Sequence, residues 1–380
     1  MKKYKIFAED KKFYLGTISS EEGQFSAVHL EQELSEEEAF SREEEFLIPG
    51  LIDIHFHGCL GQDFCDGKRE AIECLAKYEI EHGVIGICPA TLTLALEDLD
   101  TVLSLAKDYA EEGEKPGEAR LLGINMEGPF ISHVKKGAQN EKYILKCDEK
   151  ILTRFIESSG GLVKFVGLAP EENPNFEDFI KKAKGRVKIS LAHTNADFQT
   201  ALLAYRAGAS HAVHLFNAMT GLDHRNPGVV GATVESKDVY AELITDGIHV
   251  HPVMVRAAFA LLGEDRVVLI SDSLRSTGMP DGIYDLGGQK VQKEGKRCTL
   301  VEGGNLAGSV SNVFDCMKTA VQLMKIPFRS AILASTINPA KALGVEKTVG
   351  SISVGKKADY LLLDNELNLK AVYQSGKEIE

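Results

Sequence analysis

From residue 51 onward, short apolar runs alternate with segments whose hydrophobic positions recur at helical spacing. Eight runs read as strands: LIDIHFH, VIGICPAT, LLGINME, VKFVGLA, RVKISLAH, SHAVHLF, YAELITD and RVVLISD. Between them lie helix-like stretches such as REAIECLAKYEIEHG, LEDLDTVLSLAKDYAEE, FEDFIKKAKG and NADFQTALLAYRAG. Strands that alternate with helices call for a parallel sheet, and eight such units suit a closed (β/α)8 TIM-like barrel. An open doubly wound sheet is the alternative, and the lack of a GxGxxG after the first strand counts against it.

Both ends of the chain carry a different pattern. Residues 1–46 read as short strands, KIFA, KFYLGTIS and QFSAVHL, followed by the acidic run EQELSEEEAFSREEEF, expected as a solvated face or loop. Pro49 and Gly50 punctuate the change to the barrel pattern, and the tail GSISVGKKADYLLLDNELNLKAVYQSGKEI is strand-like again. Two β-rich ends flanking one barrel most simply join in a small domain, a β-sandwich discontinuous in sequence. The expected division is 1–49 with 346–380 for that domain and 50–345 for the barrel. The Gly-rich GIYDLGGQKVQKEGKRCTLVEGG predicts a β-hairpin insertion near 278–305, ahead of helical patterns over about 311–343.

Composition narrows the partners. A formal net charge of -13 argues against a sequence-independent grip on nucleic acid or an anionic membrane, so any anionic ligand must be held by a few local groups. The opening MKKYKIFAED has no apolar core for a signal peptide, and no run approaches the ~20 apolar residues of a spanning helix. A cytosolic protein is expected. Seven cysteines in no CxxC pattern fit reduced thiols, and Cys59 reads as a packing residue.

The chemistry concentrates at predicted strand ends. His55 and His57, two apart, point to one face of the first strand and toward the C-terminal mouth where barrel enzymes place their sites. Glu127, His193, His214 and Asp272 hold the corresponding positions on four other strands. Imidazoles and carboxylates gathered from separate strands suit a catalytic metal site for one or two divalent ions, and this donor set fits Zn²⁺, Fe²⁺, Co²⁺ or Mn²⁺.

The H-x-H pair, the histidines ending strands five and six, the aspartate ending strand eight and the closing VGSISVGKKADYLLLD resemble the amidohydrolase superfamily. Within it, PGLIDIHFHG, MEGPF, KKGA, LAHTNA, HLFNAM, DGIHV and NPAKALG are similar to the N-acetylglucosamine-6-phosphate deacetylase family, over nearly the whole chain. The resemblance implies that Glu127, His193 and His214 bind a principal metal and that His55 and His57 complete a second position with Glu127 bridging. It implies further that Asp272 is the general base and acid, and that His249 contacts substrate and helps stabilise the oxyanion. For the phosphate it implies the backbone amides of Asn217 and Ala218 together with Arg225, which reaches into the neighbouring subunit of a homodimer. His224 would stand beside it. Gln139 departs from members that carry a sugar-touching histidine there, and Leu306 and Ala307 look like a pocket wall. The rival readings are the same chemistry on N-acetylgalactosamine 6-phosphate or another N-acyl sugar phosphate, hydrolysis of a cyclic amide, and a noncatalytic sugar-phosphate-binding barrel.

Overall fold

Eight parallel strands ring the centre of the protein in chain order. In this computed structural model, which describes residues 2–379, they are β1 (Leu51–Asp53), β2 (Val84–Ile87, resuming at Ala90–Thr91), β3 (Ile124–Phe130), β4 (Val163–Leu168), β5 (Lys188–Leu191), β6 (His211–Ala212), β7 (Tyr240–Ile244) and β8 (Val267–Ile270). Met1 and Glu380, the outermost residues of the expected small domain, lie outside the described residues. Each strand pairs in parallel with the next, through registers such as Ile52 with Gly86, Asn125 with Ala90 and Leu243 with Leu269. Their side chains are buried almost throughout, because the barrel fills one face and helices cover the other.

The ring closes beyond the ladders. The Asp272 amide donates to the His55 carbonyl at 2.9 Å and the His57 amide donates to the Ser273 carbonyl at 2.8 Å. Beneath this seam the fully buried Asp53 carboxylate accepts from the Ser271 hydroxyl at 2.5 Å and from the His55 amide at 3.1 Å. One expectation changes. Glu127 lies inside β3 rather than at its end, because β3 runs on to Phe130 through a register shift against β4 between Met126 and Phe130.

The two termini build one seven-stranded sheet. Its order is Lys377–Glu378, Leu369–Gln374, Tyr360–Leu363, Phe46–Pro49, Tyr4–Phe7, Phe13–Glu21 and Gln24–Leu34. The sheet curls, bringing Gln24 to a bridge with Lys357 and enclosing Ile6, Phe25, Leu47 and Ile352. The strand Phe46–Pro49 feeds directly into β1 through Gly50, where a Cβ would stand 2.2 Å from Ile85 Cγ1, so only glycine fits this joint. Arg120 fastens barrel to sheet through Asp359 and the Ser375 hydroxyl.

The acidic run is a solvated but ordered face, the end of the Gln24–Leu34 strand followed by a helix over Glu36–Ser41. Ser35 and Glu38 form a capping box at its start, which is why this charged stretch is helical. Glu36 also caps the helix Phe328–Ser335, accepting from the amides of Phe328 and Arg329. Antiparallel strands Gly282–Leu286, Gln289–Glu294 and Arg297–Leu300 form a small sheet whose Leu286, Val291 and Leu300 pack with Leu92, Leu274 and Ala307. Among the described residues no helix is long and apolar enough to cross a membrane.

Fully buried Phe328 packs against Phe13, Phe40 and Phe46 at ring-centroid distances of 5.2 to 5.8 Å, joining terminal sheet to barrel helix. Phe328→Ala is expected to cost about 3–5 kcal/mol, seen as a lower denaturation midpoint in chemical unfolding.

Candidate active site

The six chemistry-bearing residues leave the C-terminal ends of β1, β5, β6 and β8 and the bulge in β3. His193, His214 and Asp272 hold left-handed backbones with φ of 44°, 30° and 50°, and Phe216 and Ala218 do the same at 78° and 50°. Such conformations cost about 1–3 kcal/mol each outside glycine and persist only where the surroundings over-determine them. At Asp272 the surroundings can be named. The Ser309 amide donates to its carbonyl at 2.7 Å, and Gly308 allows that approach, since a Cβ there would lie 2.5 Å from the same oxygen.

Two groups of three result, Glu127 with His193 and His214, and His55 with His57 and Asp272. The Nε2 atoms of His193 and His214 both stand 3.0 Å from Glu127 Oε1 and 3.2 Å from each other. Their Nδ1 atoms face the carbonyls of Lys135 at 2.9 Å and Asn217 at 3.1 Å, partners that only accept, so each Nδ1 carries the proton. The Nε2 lone pairs therefore converge on a carboxylate oxygen, an arrangement that is repulsive unless a cation sits among them. His55 repeats the pattern: its Nδ1 meets Glu242 at 2.8 Å, while its buried Nε2 has no hydrogen-bond partner among the described residues. This donor set fits divalent metal ions.

The charges agree. Burial opposes a proton on His57, yet Asp272 and Glu127, within 3.4 Å, push its pKa up to about 10. Burial likewise favours neutral Glu127 and Asp272, but the facing imidazoles hold both below the usual carboxylate range. The pocket thus draws positive charge to its floor.

A cavity of about 450 Å³ opens above, lined by His57, Glu127, His193, His214 and Asp272 and by Gln139, Asn217, Ala218, His249, Leu306 and Ala307. Buried Gln139 donates to Glu127 Oε2 and accepts from the Thr93 amide at 2.7 Å. His249 donates from Nδ1 to Asp246 at 2.7 Å and from Nε2 to the Ala307 carbonyl at 2.7 Å, which requires both ring protons. Burial disfavours that charge, and Asp246 outweighs it and raises the His249 pKa. The Asn217 amide is spent on the His214 carbonyl at 2.9 Å, whereas that of Ala218 has no acceptor among the described residues. Arg225 and His224 are not in this pocket. They lie on an exposed loop, and Arg225 borders a separate hollow beside Asp197 and Thr220.

Sequence reasoning passed over Glu242, Asp246, Asp53 and His211. The signal for the first and third was an acid inside an otherwise apolar barrel strand, in YAELITD and LIDIHFH, where a carboxylate must find partners. Asp246 stood three residues before His249 in the quoted DGIHV.

The amidohydrolase family profile matches residues 46–379. The chain is 34% identical to N-acetylglucosamine-6-phosphate deacetylase of Bacillus subtilis (strain 168), over 95% of this chain and 92% of that protein. It is 35% identical to N-acetylgalactosamine-6-phosphate deacetylase of Escherichia coli O157:H7, over 88% of each. A mutant N-acetyl-D-glucosamine-6-phosphate deacetylase from Mycobacterium smegmatis, solved in complex with N-acetyl-D-glucosamine-6-phosphate, superposes with a TM-score of 0.90 at 25% identity, covering 99% of this chain and 98% of that one.

Because the folded pKa of His249 lies above its unfolded value, the pair with Asp246 stabilises the fold below pH 6.5 and loses that contribution as pH rises through the raised value. Asp246→Asn is expected to lower the His249 pKa, as read from its imidazole proton shifts by NMR; an unmoved titration would refute the pairing.

Proposed function

The chain belongs to the amidohydrolase family, and on that footing we propose that it hydrolyses the acetamide of N-acetylglucosamine 6-phosphate to glucosamine 6-phosphate and acetate, a step of amino-sugar catabolism. The observation that carries this reading is the meeting of His57, Glu127, His193, His214 and Asp272 on the floor of one pocket, with buried His55 completing the second group of three behind them. Near-full-length relatives named for this reaction support it. Glu127, His193 and His214 would hold the principal divalent ion, and His55, His57 and Asp272 a second, with Zn, Fe, Co and Mn all compatible. When bound, such ions supply the Lewis acidity that activates water near neutral pH and polarises an amide carbonyl.

The chain's own residues do the rest. Asp272 takes the proton of the attacking water and returns it to the nitrogen as the C–N bond breaks, since an amine leaves poorly unless protonated. Doubly protonated His249, anchored by Asp246, exchanges the Ala307 carbonyl for the developing oxyanion. Gln139, Leu306 and Ala307 wall the sugar. The unspent Ala218 amide receives the phosphate together with Arg225, whose exposed guanidinium reaches the neighbouring pocket in a homodimer. The relative named for the galacto epimer makes N-acetylgalactosamine 6-phosphate the second reading.

Purified protein is expected to release acetate from N-acetylglucosamine 6-phosphate, faster than from its galacto epimer, and to lose turnover on chelation. Bound metal without turnover on either sugar would overturn the reading, and neither metal nor turnover would favour a noncatalytic barrel. Asp272→Asn should lower kcat by about 10²–10⁴-fold, with elemental analysis showing the metal at the principal position retained. For Arg225→Ala, KM should rise for the phosphorylated sugar and stay unchanged for an unphosphorylated one.

A further inference from the structure

Glu242, on β7, is a fully buried carboxylate that does not line the pocket. Its Oε2 accepts from His55 Nδ1 at 2.8 Å and from the His214 amide at 3.2 Å, and its Oε1 accepts from His211 Nε2 at 3.0 Å. His211 itself packs against the Phe165 ring, with centroids 4.9 Å apart and planes tilted by 41°. The two groups of candidate ligands are therefore oriented by different chemistry. His193 and His214 are aimed by neutral carbonyls, of Lys135 and Asn217. In the other group His57 Nδ1 is buried without a hydrogen-bond partner among the described residues, whereas the His55 ring is aimed, and what aims it is a carboxylate.

We propose that Glu242 is the positioning residue for the second ion position, the one at His55, His57 and Asp272, and that the ring nitrogens of the position at Glu127, His193 and His214 are aimed without it, its one bond to that group coming from the His214 main-chain amide. The inference rests on the two-position metal reading above. With Glu242 in place, the His55 proton stays on Nδ1 and the Nε2 lone pair faces Glu127 Oε1 at 3.3 Å and Asp272 Oδ1 at 3.8 Å. Among the described residues that lone pair has no donor facing it, and a cation held between it and the two carboxylate oxygens would relieve their repulsion. Without the carboxylate, the proton can reside on Nε2 and donate to Glu127, which closes the position from within. The negative charge of Glu242 also strengthens the imidazole as a donor, as carboxylate partners of ligating histidines do.

The test is titration of metal-free protein with Zn²⁺, followed by calorimetry, on the wild type, Glu242→Gln and Glu242→Ala. The wild type should take two Zn²⁺ per chain. Glu242→Gln, which keeps the volume and an acceptor but not the charge, should weaken only the second by about 10–100-fold. Glu242→Ala should lose the second and keep the first; if that variant fails to fold, Glu242→Gln decides alone. Equal weakening of both ions would reveal a merely structural role and overturn the inference, as would two wild-type affinities in Glu242→Gln. A wild type that binds a single Zn²⁺ would overturn the two-position reading itself, and this inference with it.

Discussion

Burying Glu127 and Asp272 against four imidazoles at the mouth of a barrel creates a concentration of charge that water cannot screen. Such a cluster is stable only if lone pairs and positive charge are interleaved, and much of the surrounding structure follows from that need. Left-handed backbones at His193, His214 and Asp272 turn the ligand atoms inward from strands that would otherwise carry them past one another. Gly308 admits the chain segment that clamps Asp272, and Lys135, Asn217 and Glu242 take the outward ring protons so that the inward nitrogens are free.

The same logic explains why the barrel closes where it does. Past the ends of β8 and β1, hydrogen bonds among His55, His57, Asp272 and Ser273 join the two strands, and Asp53 ties the seam underneath. Two of the residues that finish the ring, His57 and Asp272, also line the pocket, so closure and site geometry cannot be separated. The terminal sheet contributes from outside. Phe46–Pro49 delivers the chain into β1 through Gly50, and the aromatic cluster around Phe328 holds sheet and barrel together.

Chain order made much of this legible. Eight apolar runs separated by helical periods correspond to the eight strands, and the His, Glu and Asp residues near their ends are the ones that meet. Less legible was Glu127, read as a strand terminus, because the shift between Met126 and Phe130 depends on how β4 lies beside β3. Glu242 and Asp246 were visible only as acids in apolar surroundings, since the partners that give them meaning, His55 and His211 for one and His249 for the other, depend on the fold or on a turn. That the Asn217 amide is spent on the His214 carbonyl, while that of Ala218 has no acceptor among the described residues, is decided by the turn after β6 and not by residue type.

The sequence by itself determined the alternation of strand and helix, the residue types able to bind metal, and their placement near one end of the strands, because these follow from periodicity and side-chain chemistry. Only the tertiary structure decided which ring nitrogen faces inward, which carboxylate oxygen is shared, and which amide remains unpaired. Those choices are made by contacts between residues as far apart in the chain as His55 and Glu242. Local pattern carries no record of such contacts, because hydrogen-bond partners buried in a barrel are chosen by the closure of the whole ring.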